Sequence, residues 1–211
     1  MTLLLLGASG LVGGEVLARA LADARITALV APTRHPLPAH PKLQNPVAAE
    51  LESLLPQVAG WHADAIVCAL GTTMAKAGTQ AAFRRVDHDL PLAFATEARR
   101  TGTATFALTS SMGASPSSRF FYMRTKGELE RDLEALGFPS FLIVRPSLIG
   151  GARAESRRRE GATLRLMTFL NPVLPRSARV SPASKIAERL LEGAVAPAPG
   201  RRVVSADSLA A

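Results

Sequence analysis

The chain opens with a short apolar run that breaks into evenly spaced glycines. Leu3 to Leu6 is followed by the sequence Gly7-Ala-Ser-Gly10-Leu-Val-Gly13. The apolar residues that come next have helical spacing: Val12, Val16, Leu17, Ala20 and Leu21. A buried strand that leads through glycines into an amphipathic helix is typical of a dinucleotide-binding turn. Because the spacing is GxxGxxG rather than GxGxxG, a tight strand-to-helix turn without a ligand is the alternative interpretation.

Each glycine of this turn has its own physical role in the first interpretation. Gly7 permits the tight turn, Gly10 lets the backbone approach a pyrophosphate, and Gly13 lets the helix pack close to the strand. The N–H groups of the first helical turn then point at the phosphates. The residues predicted to bind the cofactor here are Gly7, Ser9, Gly10, Leu11, Val12 and Gly13.

Length and composition suit one globular domain over residues 1–211, with 47% apolar content. Leu3–Leu6 is far too short to span a bilayer, and the glycine turn lies where a signal peptide would need its cleavage region. We therefore expect a cytoplasmic protein without a membrane partner. Cys68 is the single cysteine and lies in an apolar run, which predicts burial and excludes an internal disulfide. The four histidines show no ligand spacing, so no metal site is expected.

The positive charge of the chain has three interpretations. The formal net charge is +8, and 21 of the 25 basic residues are arginine. The basic cluster from Arg153 to Arg165 contains Glu155 and Glu160 and no aromatic residue, which favours a solvated loop with internal ion pairs over nucleic-acid binding. A basic rim that attracts an anionic cofactor or substrate is the third interpretation. We expect no nucleic-acid partner.

Short apolar runs alternate with helical patterns along the chain. After the first strand and helix, the predicted strands are residues 26–31, a short one near Val47, 63–70, 103–109, 140–144 and 201–205. The predicted helices are a weak one at 51–58, one from 79 to 100 that Pro91 bends or divides, one at 121–136, and one that Ser181 caps and that runs to 195. This alternation predicts an α/β fold: a single Rossmann-like, doubly wound parallel sheet with helices on both faces. Ligands bind such a sheet at the carboxyl ends of its strands.

The exit of the second strand predicts the type of cofactor. An acidic residue there would bond the adenosine ribose and exclude a phosphate, but the strand leads into Ala31-Pro32-Thr33-Arg34, and no Asp or Glu occurs before Glu50. Thr33 and Arg34 can hold a 2′-phosphate, the arginine by charged hydrogen bonds and the threonine through its hydroxyl. The predicted cofactor is therefore NADP(H). An ordinary exposed loop arginine is the alternative for Arg34.

A second group of polar residues follows the fifth strand. Thr109-Ser110-Ser111 ends that strand, and Tyr122 and Lys126 share one face of the next helix because they are one turn apart. A tyrosine protonates a carbonyl oxygen near neutral pH only if its pKa is lowered, which a nearby ammonium and a positive nicotinamide would do. Ser111 would orient the substrate oxygen. Chance spacing of Tyr and Lys is the alternative, although Tyr122 is the only tyrosine in the chain.

These motifs together resemble the atypical, small branch of the short-chain dehydrogenase/reductase superfamily. The glycine turn, the Ser110-Ser111 strand end and Tyr122-x-x-x-Lys126 carry that likeness. Four segments also resemble the Tat-interacting-protein type of NADPH-binding oxidoreductase: residues 70–78 (LGTTMAKAG), 86–89 (VDHD), 110–114 (SSMGA) and 145–146 (RP). The likeness covers nearly the whole chain, and LGTTxxKAG is far more specific than the glycine turn.

The resemblance implies a Rossmann fold, an NADPH site and the reductase residues Ser111, Tyr122 and Lys126. It also implies that Leu70 and Gly71 pass beneath the cofactor, with Thr72 next to them in the cofactor site. Pro146 would lie near the nicotinamide. All of these positions are occupied by the matching residues in this chain.

Two features depart from the superfamily pattern. Its frequent asparagine after the fourth strand would fall near Asp87, and an aspartate there changes the proton relay. We also expect no long carboxyl-terminal substrate domain, so residues 150–175, within a substrate-side insertion at 146–180, would supply most of the pocket. The apolar residues that could line it, and that are equally consistent with plain core, are Met167, Phe169 and Leu170.

Three functions are consistent with these patterns. The first is an NADPH-dependent oxidoreductase that transfers hydride to a small carbonyl-type substrate, with Tyr122 as proton donor and Lys126 tuning Tyr122 and holding the nicotinamide ribose. The second is a sensor or regulatory protein that binds NADPH without turnover. The third and least favoured is a nucleic-acid-binding protein, which would bind with steep salt dependence. Superfamily habit favours a homodimer, and a protein partner is also left open.

Overall fold

The first strand is buried on both of its sides. The computed structural model, which describes residues 1–150 and 179–209, places Leu3 and Leu5 in one apolar cluster and Leu4 and Leu6 in another. Alternate residues of a strand point to opposite faces of its sheet. A strand that is apolar on both faces therefore belongs in the middle of a sheet with helices on either side.

The strands all pair in parallel. In chain order they are β1 (Thr2–Leu6), β2 (Ala28–Val30), β3 (Leu43–Gln44), β4 (Ala65–Cys68), β5 (Thr105–Thr109), β6 (Ser140–Arg145), β7 (Ile149–Gly150), β8 (Ser181–Pro182) and β9 (Gly200–Ser205). The main sheet has the order β3-β2-β1-β4-β5-β6-β9, and β7 pairs separately with β8. The winding reverses between β1 and β4, and such a switch point opens a ligand crevice at the carboxyl ends of the strands. The doubly wound, Rossmann-like α/β fold is confirmed.

Helices cover both faces of the main sheet. They are α1 (Leu11–Ala22), α2 (Met74–Ala77), α3 (Gln80–Arg84), α4 (Leu90–Arg100), α5 (Phe121–Ala135) and α6 (Ala183–Val195), with 3₁₀ turns at Leu51–Trp61 and Ala206–Ser208. The apolar sides of α1 and α6 meet one face, and those of Leu51–Trp61, α4 and α5 meet the other. Within residues 1–150 and 179–209, every helix is too short or too polar to cross a membrane.

Pro91 lies inside one continuous helical stretch rather than at a break. A π-helical turn, Arg85–Asp89, joins α3 directly to α4. Proline has no N–H, and its ring crowds the carbonyl one turn earlier in an α-helix. The turn directly before Pro91 is a π turn, and such turns often occur at functional sites. The helical stretch is thus not divided at Pro91 but changes helix type before it.

Three other local predictions differ from the structure in position, cap or helix type. The third strand is Leu43–Gln44, while Val47 makes only an isolated bridge to Thr33. Ser181 does not cap α6: Pro182 is the N-cap residue, and the Ser181 hydroxyl instead accepts the N–H of Ser147 at 3.2 Å. The weak helix at 51–58 is a 3₁₀ turn over Leu51–Trp61, with Pro56 inside it. The short helix α2 was not predicted.

Candidate functional site

The glycine turn joins β1 to α1 at the crevice between β1 and β4. Gly7 has φ +88°, and a Cβ there would lie 2.6 Å from the carbonyl carbon of Ala69, next to the end of β4. A Cβ on Gly13 would lie 2.0 Å from the Gly7 carbonyl oxygen. Backbone atoms cannot yield as a flexible side chain can, so both positions require glycine. This is the packing predicted for Gly7 and Gly13.

The start of α1 has the chemistry of an anion site. Gly10 is exposed at the N-cap, and the bond from Gly14 N–H to its carbonyl oxygen, 2.9 Å, begins the helical ladder. The N–H groups of residues 11–13 precede that bond and lie at the positive end of the helix dipole. The first turn carries no acidic side chain. Because Gly10 has no Cβ to block the approach of a ligand, these residues fit the phosphates of a dinucleotide.

The loop after β2 gives Thr33 and Arg34 different surroundings. Thr33 is buried, and its hydroxyl donates to the His35 carbonyl oxygen at 2.7 Å and accepts from the Asn45 amide at 2.8 Å. The predicted use of this hydroxyl for a 2′-phosphate therefore needs correction, because the loop itself engages it twice. Arg34 is exposed.

Asn45 holds this loop together and was missed in the sequence. Its amide nitrogen also donates to the Ala31 carbonyl oxygen at 2.6 Å, and its amide oxygen accepts the Leu37 N–H at 2.8 Å. A lone asparagine among prolines carried no distinctive spacing that could have identified it. Its contacts fix the backbone on both sides of Arg34.

Asp87 and Lys126 form a buried ion pair beside the end of β4. The two side chains are 1% and 5% exposed, and their charged atoms lie 2.7 Å apart. The other oxygen of Asp87 accepts the Thr72 N–H, also at 2.7 Å. A Cβ on Gly71 would lie 3.4 Å from the Asp87 carboxylate and 3.7 Å from the Lys126 ammonium, so the loop after β4 passes directly over the pair.

Tyr122 lies one helical turn before Lys126 and is 36% exposed. Its ring packs on buried Phe83, with the two ring centroids 5.5 Å apart. Burial disfavours the charged form of Lys126, but the carboxylate of Asp87 and the phenol of Tyr122 outweigh burial and hold the pKa of Lys126 above its ordinary value. The structure thus brings together an accessible phenol and a buried, charged ammonium.

The two serines that end β5 have different environments. Ser110 is buried, and its hydroxyl donates to Glu130 at 2.5 Å. Glu130 also accepts from Arg145 Nε at 3.0 Å, and this bond raises the pKa of Arg145. Ser111 is half-buried, and its hydroxyl makes a long bond, 3.3 Å, to the Met112 carbonyl oxygen. Ser111 is therefore the serine of this pair whose hydroxyl is not committed to the core.

Glu130 was also missed in the sequence, although its spacing was a usable signal. It lies one turn beyond Lys126, which lies one turn beyond Tyr122, so the three polar side chains continue one stripe along α5. Leu129 and Leu133 pack beside that stripe in the core, as predicted.

Pro146 is buried directly after β6, and its carbonyl oxygen accepts the Met112 N–H at 2.8 Å. Leu70 is half-buried and Gly71 exposed after β4.

Residues 151–178 lie outside the described part of the chain, and with them most of the 146–180 insertion, the Arg153–Arg165 cluster and Met167, Phe169 and Leu170. Within the described part, no group of three His, Cys, Asp or Glu side chains is placed to hold a metal ion.

The chain has clear sequence relatives, although no protein-family model matches it. The mitochondrial protein fmp52 of Emericella nidulans is 39% identical over 168 residues, which cover 74% of this chain and 70% of that protein. The corresponding protein of Aspergillus fumigatus is 40% identical over 170 residues, with 75% and 70% covered. The chain belongs to the Fmp52 family. The Saccharomyces cerevisiae member is 37% identical, with 74% of this chain and 68% of that protein covered.

These relatives correct one expectation about this Fmp52-family chain. The curated relatives in fungi are named as mitochondrial proteins, so the expectation of a cytoplasmic protein is wrong. That expectation came from the position of the glycine turn. This position argues only against a secretory signal peptide and gives no information about targeting to an organelle.

Solved structures share the fold of this Fmp52-family chain at low sequence identity. MoeE5 in complex with UDP-glucose and NAD superposes with a TM-score of 0.73 at 15% identity, covering 97% of this chain and 75% of that one. UDP-glucose 4-epimerase from Thermotoga maritima gives 0.72 at 11% identity, with 97% and 77% covered. The PhqB reductase domain from Penicillium fellutanum gives 0.66 at 16% identity, with 96% and 66% covered. The fold implied by the short-chain dehydrogenase/reductase resemblance is thus confirmed, while the Tat-interacting-protein type stays a prediction.

Proposed function

We propose that this chain is an NADPH-dependent oxidoreductase that reduces a small carbonyl-type substrate. The observation that carries the proposal is the exposed phenol of Tyr122 one helical turn from the buried ammonium of Lys126. Tyr122 and Lys126 lie in the connection that leaves the carboxyl end of β5, the edge of the sheet at which the glycine turn also lies. That MoeE5 was solved with NAD supports a nicotinamide cofactor for this fold.

The proposed cofactor site extends across the switch point of the sheet. Ser9, the exposed N-cap Gly10 and the N–H groups of residues 11–13 in the first turn of α1 would bind the pyrophosphate. Arg34 would pair with the 2′-phosphate, because the exit of β2 offers no acidic side chain to repel it. Thr33 would support Arg34 through the loop rather than touch the phosphate. The residues proposed to line the rest of the cofactor are Leu70, Gly71, Thr72, Lys126 and Pro146.

When bound, NADPH would supply the hydride that reduces the carbonyl carbon. Tyr122 would donate its phenolic proton to the carbonyl oxygen, and Ser111 would hold that oxygen by a hydrogen bond. The positive charge of Lys126 would stabilise the phenolate left on Tyr122. Because Tyr122 is partly exposed, its phenolate can regain a proton from solvent.

Cofactor titration and a reductase screen test this proposal. NADPH is expected to bind, and wild-type protein is expected to consume it with at least one member of a panel of aldehydes, ketones and quinones. Tyr122→Phe should retain NADPH binding and lose about 10²–10⁴-fold in turnover. Ser117→Ala, which removes an exposed hydroxyl from the same connection, should leave both unchanged.

Each other outcome has a definite meaning. Full turnover by Tyr122→Phe would exclude the proton-donor role. Tight NADPH binding by the wild type with no consumption across the panel would favour the sensor function instead. Absence of binding to either the reduced or the oxidised cofactor would overturn the proposal.

A further inference from the structure

Asp87 is the buried carboxylate at which three elements meet. It comes from the π turn Arg85–Asp89, contacts the Lys126 ammonium of α5 at 2.7 Å, and accepts the Thr72 N–H of the loop after β4 at 2.7 Å. The Asp87 side chain is 1% exposed, so water does not screen these contacts. Asp87 and the neighbouring His88 are the buried residues of this π turn.

A buried ammonium needs such a partner to remain charged. Removing an amino group from water favours its neutral form, and an unpaired buried lysine can lose its proton near neutral pH. The other titratable groups that face Lys126 are Tyr122 on its own helix and Cys68 on β4. Burial raises the pKa of Cys68 to about 11, so the thiol is neutral at ordinary pH. Of the described residues, Asp87 alone places a carboxylate within ion-pair distance of Lys126.

We propose that Asp87 is a positioning residue that keeps Lys126 protonated and fixes its ammonium and the Thr72 backbone together in the cofactor site. The assignment of this region as a cofactor site rests on the proposed function, whereas the ion pair between Asp87 and Lys126 does not. Lys126 then carries its charge beside Tyr122 at neutral pH. The loop beneath the cofactor and the ammonium are held as one unit.

Carbon NMR of the lysine side chains tests the proposal without a cofactor or a substrate. The chain has four lysines, and Lys42→Arg, Lys76→Arg and Lys185→Arg assign the signal of Lys126 by elimination. In the wild type, Lys126 should show no titration below the range of the other lysines. In Asp87→Asn, its midpoint should move down by about two pH units or more. Asp89→Asn is the matched control, since it removes a carboxylate from the same π turn whose side chain is 55% exposed, and it should not move the Lys126 midpoint.

The wild-type titration alone can overturn the proposal, because a Lys126 that is neutral at pH 8 has no charge for Asp87 to hold. An unchanged midpoint in Asp87→Asn would overturn it equally. If Asp87→Asn does not fold, the double variant Asp87→Asn with Lys126→Met removes both charges and should fold. A double variant as unstable as the single one would contradict the ion-pair account.

NADPH affinity separates this inference from the proposed function. Asp87→Asn is expected to weaken NADPH binding about tenfold, because a neutral amide with a single accepting oxygen replaces the carboxylate that the ammonium and the Thr72 N–H share. If wild-type protein fails to bind NADPH while the lysine titration behaves as described, the proposed function is wrong and the ion pair stands. If NADPH binds normally to a variant whose Lys126 midpoint has dropped, Asp87 does not position the cofactor site.

Discussion

A Cβ atom on Gly13 would lie 2.0 Å from the carbonyl oxygen of Gly7, so α1 rests directly on the turn that precedes it. The nearest atoms belong to backbone and cannot rotate away. We expect Gly13→Ala to lower the free energy of unfolding by about 1–3 kcal/mol and to weaken NADPH binding, because α1 must move off the turn. Urea denaturation and cofactor titration of the same protein measure the two effects.

Gly60→Ala is the matched control for that change. A Cβ on Gly60 would meet nothing within 4 Å, and its backbone has an ordinary φ. Its free energy of unfolding should stay within about 0.5 kcal/mol of the wild type. Equal effects at the two glycines would show that the contact between Gly13 and Gly7 does not limit stability.

Substitution of Arg34 is expected to change the affinity for NADPH, whereas substitution of Thr33 is expected to change stability. Arg34→Ala should raise the Kd for NADPH about tenfold or more and leave that for NADH unchanged, because only NADPH has the 2′-phosphate. Arg100→Ala, at the far end of α4, should change neither. Thr33→Val removes both hydrogen bonds of the Thr33 hydroxyl and should cost about 1–3 kcal/mol of stability with the preference for NADPH retained. If Thr33→Val lost the preference for NADPH, that result would indicate that the Thr33 hydroxyl contacts the 2′-phosphate directly.

Substitution of Ser110 is expected to affect stability, and substitution of Ser111 is expected to affect catalysis. Ser110→Ala removes one of the hydrogen bonds to the buried Glu130 carboxylate, which still accepts from Arg145, and should lower the free energy of unfolding by about 1–3 kcal/mol. Ser111→Ala loses only a long bond to a neighbouring carbonyl, so it should fold normally and lose turnover with NADPH. If Ser111→Ala lost stability in denaturation and Ser110→Ala lost turnover instead, Ser110 would be the catalytic serine and Ser111 the structural one.

Cys68 should be almost inert in the folded protein. Burial raises the pKa of its thiol to about 11, so the reactive thiolate forms only as the pH rises towards that value. At pH 8 we expect reaction with a chromogenic disulfide to be about 100-fold or more slower than in denaturant. The native rate should then increase with pH up to about 11. Similar rates in native and denaturing buffer at pH 8 would place the thiol at the surface.

Hydrophobic pattern and glycine spacing were enough to predict the architecture. Continuous apolar runs such as Leu3–Leu6 can be buried on both faces only in a parallel sheet between helices, and that constraint does not depend on distant contacts. The packing roles of Gly7 and Gly13 followed from the same local reasoning. The register of Tyr122 and Lys126 was also visible, since it depends only on the turn of a helix.

The partners of these residues depend on tertiary structure, which explains why they were missed. Thr33 is close to Arg34 in sequence, yet its hydroxyl is taken by Asn45, twelve residues away. Asp87 lies in a π turn and pairs with Lys126, which is 39 residues away, and a helical pattern in the sequence does not distinguish a π turn from an α turn. Spacing can place a polar group on a face, but it cannot show which neighbour uses that group.

The pairing of β7 with β8 has a consequence for how this fold can diversify. Ile149 lies beside Ser181, so the two ends of the connection between β7 and β8 are held next to each other. The entropic cost of closing a connection grows only slowly with its length. Relatives could therefore exchange or lengthen everything between those two strands while the sheet and the glycine turn stay intact, which makes this position a natural place for grafting new specificity onto an unchanged scaffold.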